Sequence, residues 1–368
     1  MKKHEIPTPA LVVDYDKLRY NIDEMAERAR KAGKTLRPHI KTHKTPIIAQ
    51  MQMRAGAVGI TCAKLGEAEV MAAAGIEDIW ICYPIVGAEK IERLLNLARW
   101  VPKVAVTVDA PDMARAISDA AVARGQRIDV MVEIEAGYRR VGILPELFVD
   151  FVKEIVNNMP GLRYRGITYM AGGTCKSNDP EQQKAGEMAG AKIATDAAAR
   201  ARAAGIQTEV VSGGSTPGSR YMQYLDGVTE YRPGCYVFGD MQYADLGAHT
   251  REQMALTILT SVVSVPAGPA PDHFVVDAGS KTVTHFLSRN TPGYGTFVQM
   301  PDLHINVASE EHGAVHLPAG RQPPKLGAKL DVWPNYVSDV VNQSDVLWVV
   351  QGDDVIAKWD ILAARKRE

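Results

Sequence analysis

The sequence predicts an α/β protein: an eightfold strand–helix barrel joined to a mostly β module. Three observations carry that prediction. Eight short apolar runs recur, at 35–41, 57–63, 78–84, 103–109, 127–135, 162–170, 208–212 and 228–238. Most are apolar throughout rather than alternating, as strands covered on both faces are. Helix-patterned stretches separate them, and several close on a glycine (Gly33, Gly75, Gly125, Gly205), the residue a helix end favours. Eight such units fit a (β/α)8 barrel, usually ~250 residues, with a doubly wound open sheet as the rival.

The chain opens with an extended, Pro-flanked apolar segment at 9–14. The stretch 16–32 sets Leu18, Ile22, Met25 and Ala29 on one helical face. This helix precedes the first barrel strand, so the opening segment is expected outside the barrel. Further helices are expected at 65–74, 110–124 and, long and Ala-rich, 180–204. After Gly247 the texture changes. Strands are expected at 255–265, 273–278, 332–333, 344–350 and 354–359, with a turn at Gly352-Asp353 and no long helix. The domains are then discontinuous: 16–245 as the barrel, with 1–15 and 246–368 as a β domain.

Composition narrows the function classes. The chain has 368 residues, 46% hydrophobic and 23% charged, enough to bury a core without staples. Forty-two basic against 43 acidic residues give a formal net charge of −1, which excludes a strongly basic nucleic-acid binder. Cys62, Cys82, Cys175 and Cys235 are scattered with no CxxC pair. That argues against a disulfide framework or structural zinc and for a reducing compartment. No apolar stretch follows Lys2-Lys3, and none is long enough to span a membrane. A cytoplasmic protein with neither nucleic acid nor membrane as partner is expected.

In a barrel the chemistry gathers at the C-terminal ends of the strands. The first strand ends in Arg37-Pro38-His39-Ile40-Lys41-Thr42-His43-Lys44. Taken alone this is a basic loop. A rim lysine among other cations is also in the setting that lowers its pKa and suits a Schiff-base lysine. The seventh ends in Ser212-Gly213-Gly214-Ser215-Thr216-Pro217-Gly218, either a tight turn or a phosphate cradle of open N–H groups at a helix start. The eighth holds Tyr231-Arg232-Pro233-Gly234, and the fifth leads into Tyr138-Arg139-Arg140-Val141-Gly142. Those two arginines either face solvent or hold an aromatic oxyanion.

With Thr8-Pro9-Ala10-Leu11-Val12-Val13-Asp14, Ile60-Thr61-Cys62-Ala63-Lys64-Leu65-Gly66-Glu67, Ser309-Glu310-Glu311-His312-Gly313 and Trp333-Pro334-Asn335, these strings resemble the fold-type III pyridoxal-phosphate enzymes, the alanine-racemase-like barrels. More narrowly, the chain resembles the D-threonine aldolase / D-serine dehydratase group over nearly its whole length. The resemblance implies pyridoxal 5'-phosphate carried on Lys41, with Arg140 at its phenolic oxygen. Ser212, Gly213, Gly214, Ser215, Gly234 and Cys235 are implied around its phosphate. Arg232 is implied beside the pyridine nitrogen, where it weakens the ring as an electron sink. A homodimer acting on a small amino acid is implied as well.

Two departures qualify the resemblance. The group's metal string, Pro-Asn-His-x-Cys (or Asp), reads Pro334-Asn335-Tyr336-Val337-Ser338-Asp339 here. A phenol and a neutral hydroxyl are poor ligands at neutral pH, so the usual divalent metal is not expected. Asp339 stands one residue off, and on a strand it would face the other way. On the sixth strand, Met170 and Gly173 take positions where the group has an aromatic residue and a histidine, with Tyr169 as the stand-in. The cofactor pocket thus reads as kept and the β-hydroxyl apparatus as altered. The expected activity is aldolase-type lyase cleavage of a small β-hydroxy D-amino acid, with Tyr336 or His312 as base. The alternatives are a metal-independent racemase using Lys41 and Tyr336 on opposite faces, and a non-catalytic cofactor carrier.

Overall fold

The structure, a computed structural model, describes residues 1–174 and 176–368; Cys175 lies outside the described residues. In chain order the elements are β1 (Ala10–Asp14), α1 (Tyr15–Lys31), β2 (Thr35–Leu36), α2 (Pro46–Arg54), β3 (Ile60–Cys62), α3 (Leu65–Ala73), β4 (Asp78–Pro84), α4 (Ala88–Leu97), β5 (Lys103–Val108) and α5 (Pro111–Ala123). Then come β6 (Ile128–Ile134), α6 (Phe148–Asn158), β7 (Leu162–Tyr169), α7 (Pro180–Ala203), β8 (Val210–Gly213), β9 (Glu230–Tyr231), α8 (Met241–Asp245), β10 (Leu256–Ser264) and β11 (His273–Val276). The chain ends with α9 (Ser280–Val283), β12 (Gly295–Phe297), β13 (Val307–Ala308), β14 (Gly313–His316), β15 (Lys329–Pro334), α10 (Val337–Gln343), β16 (Val346–Gln351) and β17 (Asp354–Asp360). Two compact units result: Glu24–Lys41, Pro46–Gly234 and Lys366–Glu368 form one, and Met1–Asp23, Thr42–Thr45 and Cys235–Arg365 the other.

The first unit is the barrel. Its eight strands run in the order β2-β9-β8-β7-β6-β5-β4-β3. Every pairing is parallel. A parallel bridge between His39 and Thr61 joins the two ends of the sheet. Buried polar residues alternate with apolar ones along the strands: Thr107 between Val106 and Val108, Glu133 between Val132 and Ile134, Ser212 beside Val211. With a period of two, one face is apolar and the other carries the polar groups.

Strand β2 is shorter than the apolar run predicts. The ladder proper covers only Thr35 and Leu36, and beyond it the Arg37 and His39 N–H groups donate to the Tyr231 and Pro233 carbonyls at 3.0 and 2.9 Å, on either side of Pro38, which has no N–H to give. Lys41 therefore lies in the 3-10 turn Ile40–Thr42, beyond the strand rather than at its end.

The second unit is built on a nine-stranded sheet ordered β13-β14-β11-β10-β1-β16-β17, with β15 pairing β10 and β12. Strand β1 sits inside this sheet, antiparallel to β10 and parallel to β16, with Leu11, Val12 and Val13 buried. The sequence reading missed β12, β13 and β14, whose two to four residues are too short to show a period. It also put 337–339 on a strand. These residues open α10, with Tyr336 at its N-cap. On a helix Asp339 turns outward and is exposed, whereas Ser338 is buried. Among the described residues no helix is long and apolar enough to cross a membrane.

Candidate active site

Candidate residues form a cluster in each unit. In the barrel unit, the Lys41 backbone N–H lies 3.4 Å from His39 Nδ1, and its side chain is partly exposed. The Lys41 ammonium forms no ion pair among the described residues. His39 is tied to the segment after β9 through its own N–H, which donates to the Pro233 carbonyl at 2.9 Å.

Arg232 is 5% exposed, so its charge needs partners within the fold. Its Nη1 donates to Ser212 Oγ at 2.7 Å and its Nη2 to the Tyr169 carbonyl at 3.3 Å. The guanidinium lies 4.6 Å from the centre of the Trp80 ring, a cation–π distance. Ser212 in turn donates to Glu230 Oε1 at 2.7 Å. The Ser212 hydroxyl is fully buried and held between Arg232 and Glu230, so what it can offer an anion is its backbone N–H.

The glycine-rich turn follows β8. Gly214 has φ +126°, a conformation open to glycine and strained for L side chains. A Cβ on Gly213 would strike the Tyr169 ring, and one on Gly218 would strike the Tyr231 hydroxyl and the Glu187 carboxyl. The turn is thus pressed onto two buried tyrosines. Tyr231 donates to Glu187 Oε1 at 2.7 Å, and Thr174 donates to Glu187 Oε2. Burial pushes the Glu187 carboxyl above its ordinary range, though both hydroxyl donors oppose it. Ser215 Oγ accepts from the Gly218 N–H at 3.0 Å. Thr216 Oγ1 is buried with no hydrogen-bond partner. An open turn with an unsatisfied buried hydroxyl fits an anionic group such as a phosphate. Tyr169 is fully buried beneath Gly213, and its hydroxyl is likewise unpartnered.

Arg140 is exposed, 4.9 Å above the Tyr138 ring, with Nη2 4.0 Å from Glu133 Oε1. Glu133 is buried, which raises its carboxyl to about 7 against the opposing pull of Arg232 and Arg140.

In the second unit, Tyr336 stacks on Phe286 at 4.8 Å and meets Tyr243 edge-on at 6.2 Å. Asp240 fixes the backbone beside it. One carboxylate oxygen accepts from the Tyr243 N–H at 2.9 Å and the other from the Val337 N–H at 3.1 Å, so a single side chain caps α8 and α10. Burial lifts Asp240 to about 7. The neighbouring Cys235, and then burial, push the Tyr336 phenol well above its ordinary value. The phenol is therefore protonated at neutral pH.

Ser338 Oγ donates to Thr42 Oγ1 at 3.1 Å and lies 3.5 Å from Cys235 Sγ. The Cys235 thiol thus belongs to a buried cluster with two hydroxyls. Thr42 is the residue after Lys41, and Ser338 stands two after Tyr336. A stacked, protonated phenol and a committed hydroxyl do not make a divalent-metal ligand set. Among the described residues no three His, Cys, Asp or Glu side chains gather as a metal site. His312 is exposed on the hairpin between β13 and β14, where its carbonyl accepts from the Ser309 N–H at 3.0 Å.

Sequence reasoning missed Glu230, Arg37, Glu187 and Asp240. Two of these had a signal. Glu230 is two residues before Arg232, hence on the same face of a strand. Asp240 precedes a helix start, the position an N-cap takes. Glu187 shows no signal, because only the fold brings α7 beneath the glycine turn.

Comparison with known proteins fits this geometry. Residues 13–242 match the alanine racemase N-terminal domain, and 255–350 match a serine dehydratase domain. The chain belongs to the alanine racemase N-terminal domain family. It is 34% identical to the D-threonine aldolase of Arthrobacter sp, over 97% of this chain and 93% of that one. It is 31% identical to the D-threo-3-hydroxyaspartate dehydratase of Delftia sp. (strain HT23), over 97% of each. Among solved structures it is similar to the D-threonine aldolase from Filomicrobium marinum, with TM-score 0.89 and 32% identity over 98% of this chain and 96% of the other.

Proposed function

We propose that this protein is a pyridoxal-phosphate-dependent lyase that cleaves a small β-hydroxy D-amino acid in the manner of a D-threonine aldolase. The observation that carries the reading is the near-complete match, at 34% identity, to an enzyme of that name. When bound, pyridoxal phosphate supplies an electron sink for the bond broken at Cα.

The chain's own residues divide the remaining work. Lys41 offers the amine that anchors the cofactor. The backbone of Ser212, Gly213 and Gly214, together with Ser215, Thr216, Gly234 and the Cys235 backbone, surrounds the phosphate. Arg140 would hold the phenolic oxygen and Arg232 the ring nitrogen, and Tyr169 packs under the turn. Tyr336 holds a proton on its phenolic oxygen and gives it to the substrate carbon, and His312 takes the proton of the β-hydroxyl. No step is routed through a metal, since Tyr336 and Ser338 do not fit one. A racemase is the second reading, favoured by the protonated Tyr336 where relatives of this group carry a histidine.

The proposal includes a barrel domain at 16–245 and a β domain from 1–15 and 246–368, in keeping with the matched ranges 13–242 and 255–350, a homodimer, which the resemblance implies, and a cytoplasmic location, which the scattered cysteines favour. The test is a product panel. Holoenzyme is incubated with D-threonine, D-serine and D-alanine, and aldehyde, keto acid and enantiomer are followed separately. Glycine with acetaldehyde is expected from D-threonine. Formation of the opposite enantiomer alone supports the racemase, and absence of any product overturns the enzyme reading.

A further inference from the structure

Arg232 has a buried guanidinium that forms no ion pair among the described residues. Its nearest fixed partner is a serine hydroxyl, which is free to rotate in isolation and would hold a cation loosely. Here the hydroxyl cannot rotate. Glu230 Oε1 accepts from Ser212 Oγ at 2.7 Å, and a carboxylate can only accept. Ser212 must therefore spend its single proton on Glu230 and turn a lone pair toward Arg232, which can only donate. Glu230 is itself fixed. Its Oε2 accepts from Arg37 Nε at 2.8 Å, and Arg37 Nη1 donates to Asp78 Oδ1 at 2.6 Å. Burial works against the Arg37 charge, but Glu230 and Asp78 outweigh it and keep Arg37 cationic. The order Asp78–Arg37–Glu230–Ser212–Arg232 has one hydrogen-bond direction at every link.

We infer that Glu230, clamped by Arg37, is the positioning residue for Arg232: it sets the direction of the Ser212 hydroxyl and through it the seat of the guanidinium. This rests on the proposed reading that Arg232 faces the ring nitrogen of pyridoxal phosphate. Glu230→Gln is nearly isosteric, yet it breaks the polarity of the chain. Its NH2 must face either Arg37 or Ser212, and one donor then meets another donor or reverses the serine.

The test compares holoenzymes carrying Glu230→Gln, Ser212→Ala and Arg232→Lys by crystal structure, cofactor absorption across neutral pH, and kcat and KM for D-threonine. Glu230→Gln and Ser212→Ala are expected to move the guanidinium by about 1 Å. They should shift the cofactor band in the same direction as Arg232→Lys. They should lower kcat by about tenfold, with KM changing less than about twofold. A purely structural role would change stability and leave the band in place. Ser212→Ala keeps the Arg37–Glu230 pair intact, so it remains decisive if Glu230→Gln fails to fold. An unmoved guanidinium and unchanged band in Ser212→Ala, with the band shifted in Arg232→Lys, overturn the inference alone. An unchanged band in Arg232→Lys overturns the ring-nitrogen reading, and the guanidinium position in Ser212→Ala then decides the positioning claim by itself.

Discussion

The two units hold their candidate residues by different physics. In the barrel, Arg232 and the glycine turn are fixed by charge-directed hydrogen bonds and by close backbone packing: Arg37, Glu230 and Ser212 on one side, Tyr169 and Tyr231 on the other. In the β unit, Tyr336 and Ser338 are fixed by ring stacking, a helix cap and a hydroxyl–thiol cluster. The barrel arrangement tolerates little change, because each group is matched to a donor-only or acceptor-only neighbour. The β-unit arrangement rests on ring packing and on one buried carboxylate that caps two helices.

The largest effect that sharpens this contrast belongs to Lys41→Ala. Loss of the anchoring amine is expected to remove product formation to background and, on borohydride reduction, to leave no pyridoxyl adduct at position 41. Peptide mass mapping checks it; an adduct on Lys44 of the unmutated protein would reassign the anchor. Tyr336→Phe comes next. Removing a proton donor is expected to lower kcat by about 10²-fold or more, with the cofactor spectrum unchanged, as single-turnover and absorption measurements will show.

Gly218→Ala tests the barrel's rigidity. Its methyl group would press on Tyr231 and Glu187, and a stability loss of roughly 1–3 kcal/mol in denaturant titration is the expected cost of overpacking. Asp240 gives a pH-dependent effect of defined sign. Its carboxyl, ordinarily 3.8, is raised to about 7 by burial, so the folded state binds the extra proton. Its contribution to stability is present at low pH and fades as pH rises from about 4 through 7. Asp240→Asn is expected to flatten that part of the stability–pH curve.

Much of the barrel was legible because its strands are short runs dominated by apolar residues and several helices end on glycines. Strand β4 covers the predicted 78–84, and α7 differs from the predicted 180–204 by one residue. The short strands β12 to β14 carry no period to read, and α10 was hidden because three residues after Pro334-Asn335 look alike in a strand or a first helical turn. At the site, residue types pointed to Lys41, Arg232 and the glycine turn. Several of their supports are contacts across 40 residues or more, such as Tyr231 with Glu187 or Arg37 with Glu230, and sequence spacing does not encode those pairs.

In the proposed function this chain keeps the cofactor chemistry and works without the usual metal. Turnover of D-threonine by holoenzyme dialysed against EDTA tests it most directly. Glycine and acetaldehyde are expected at the same rate before and after dialysis, with no gain on adding a divalent ion. Loss of turnover on dialysis, restored by manganese or zinc, would contradict it.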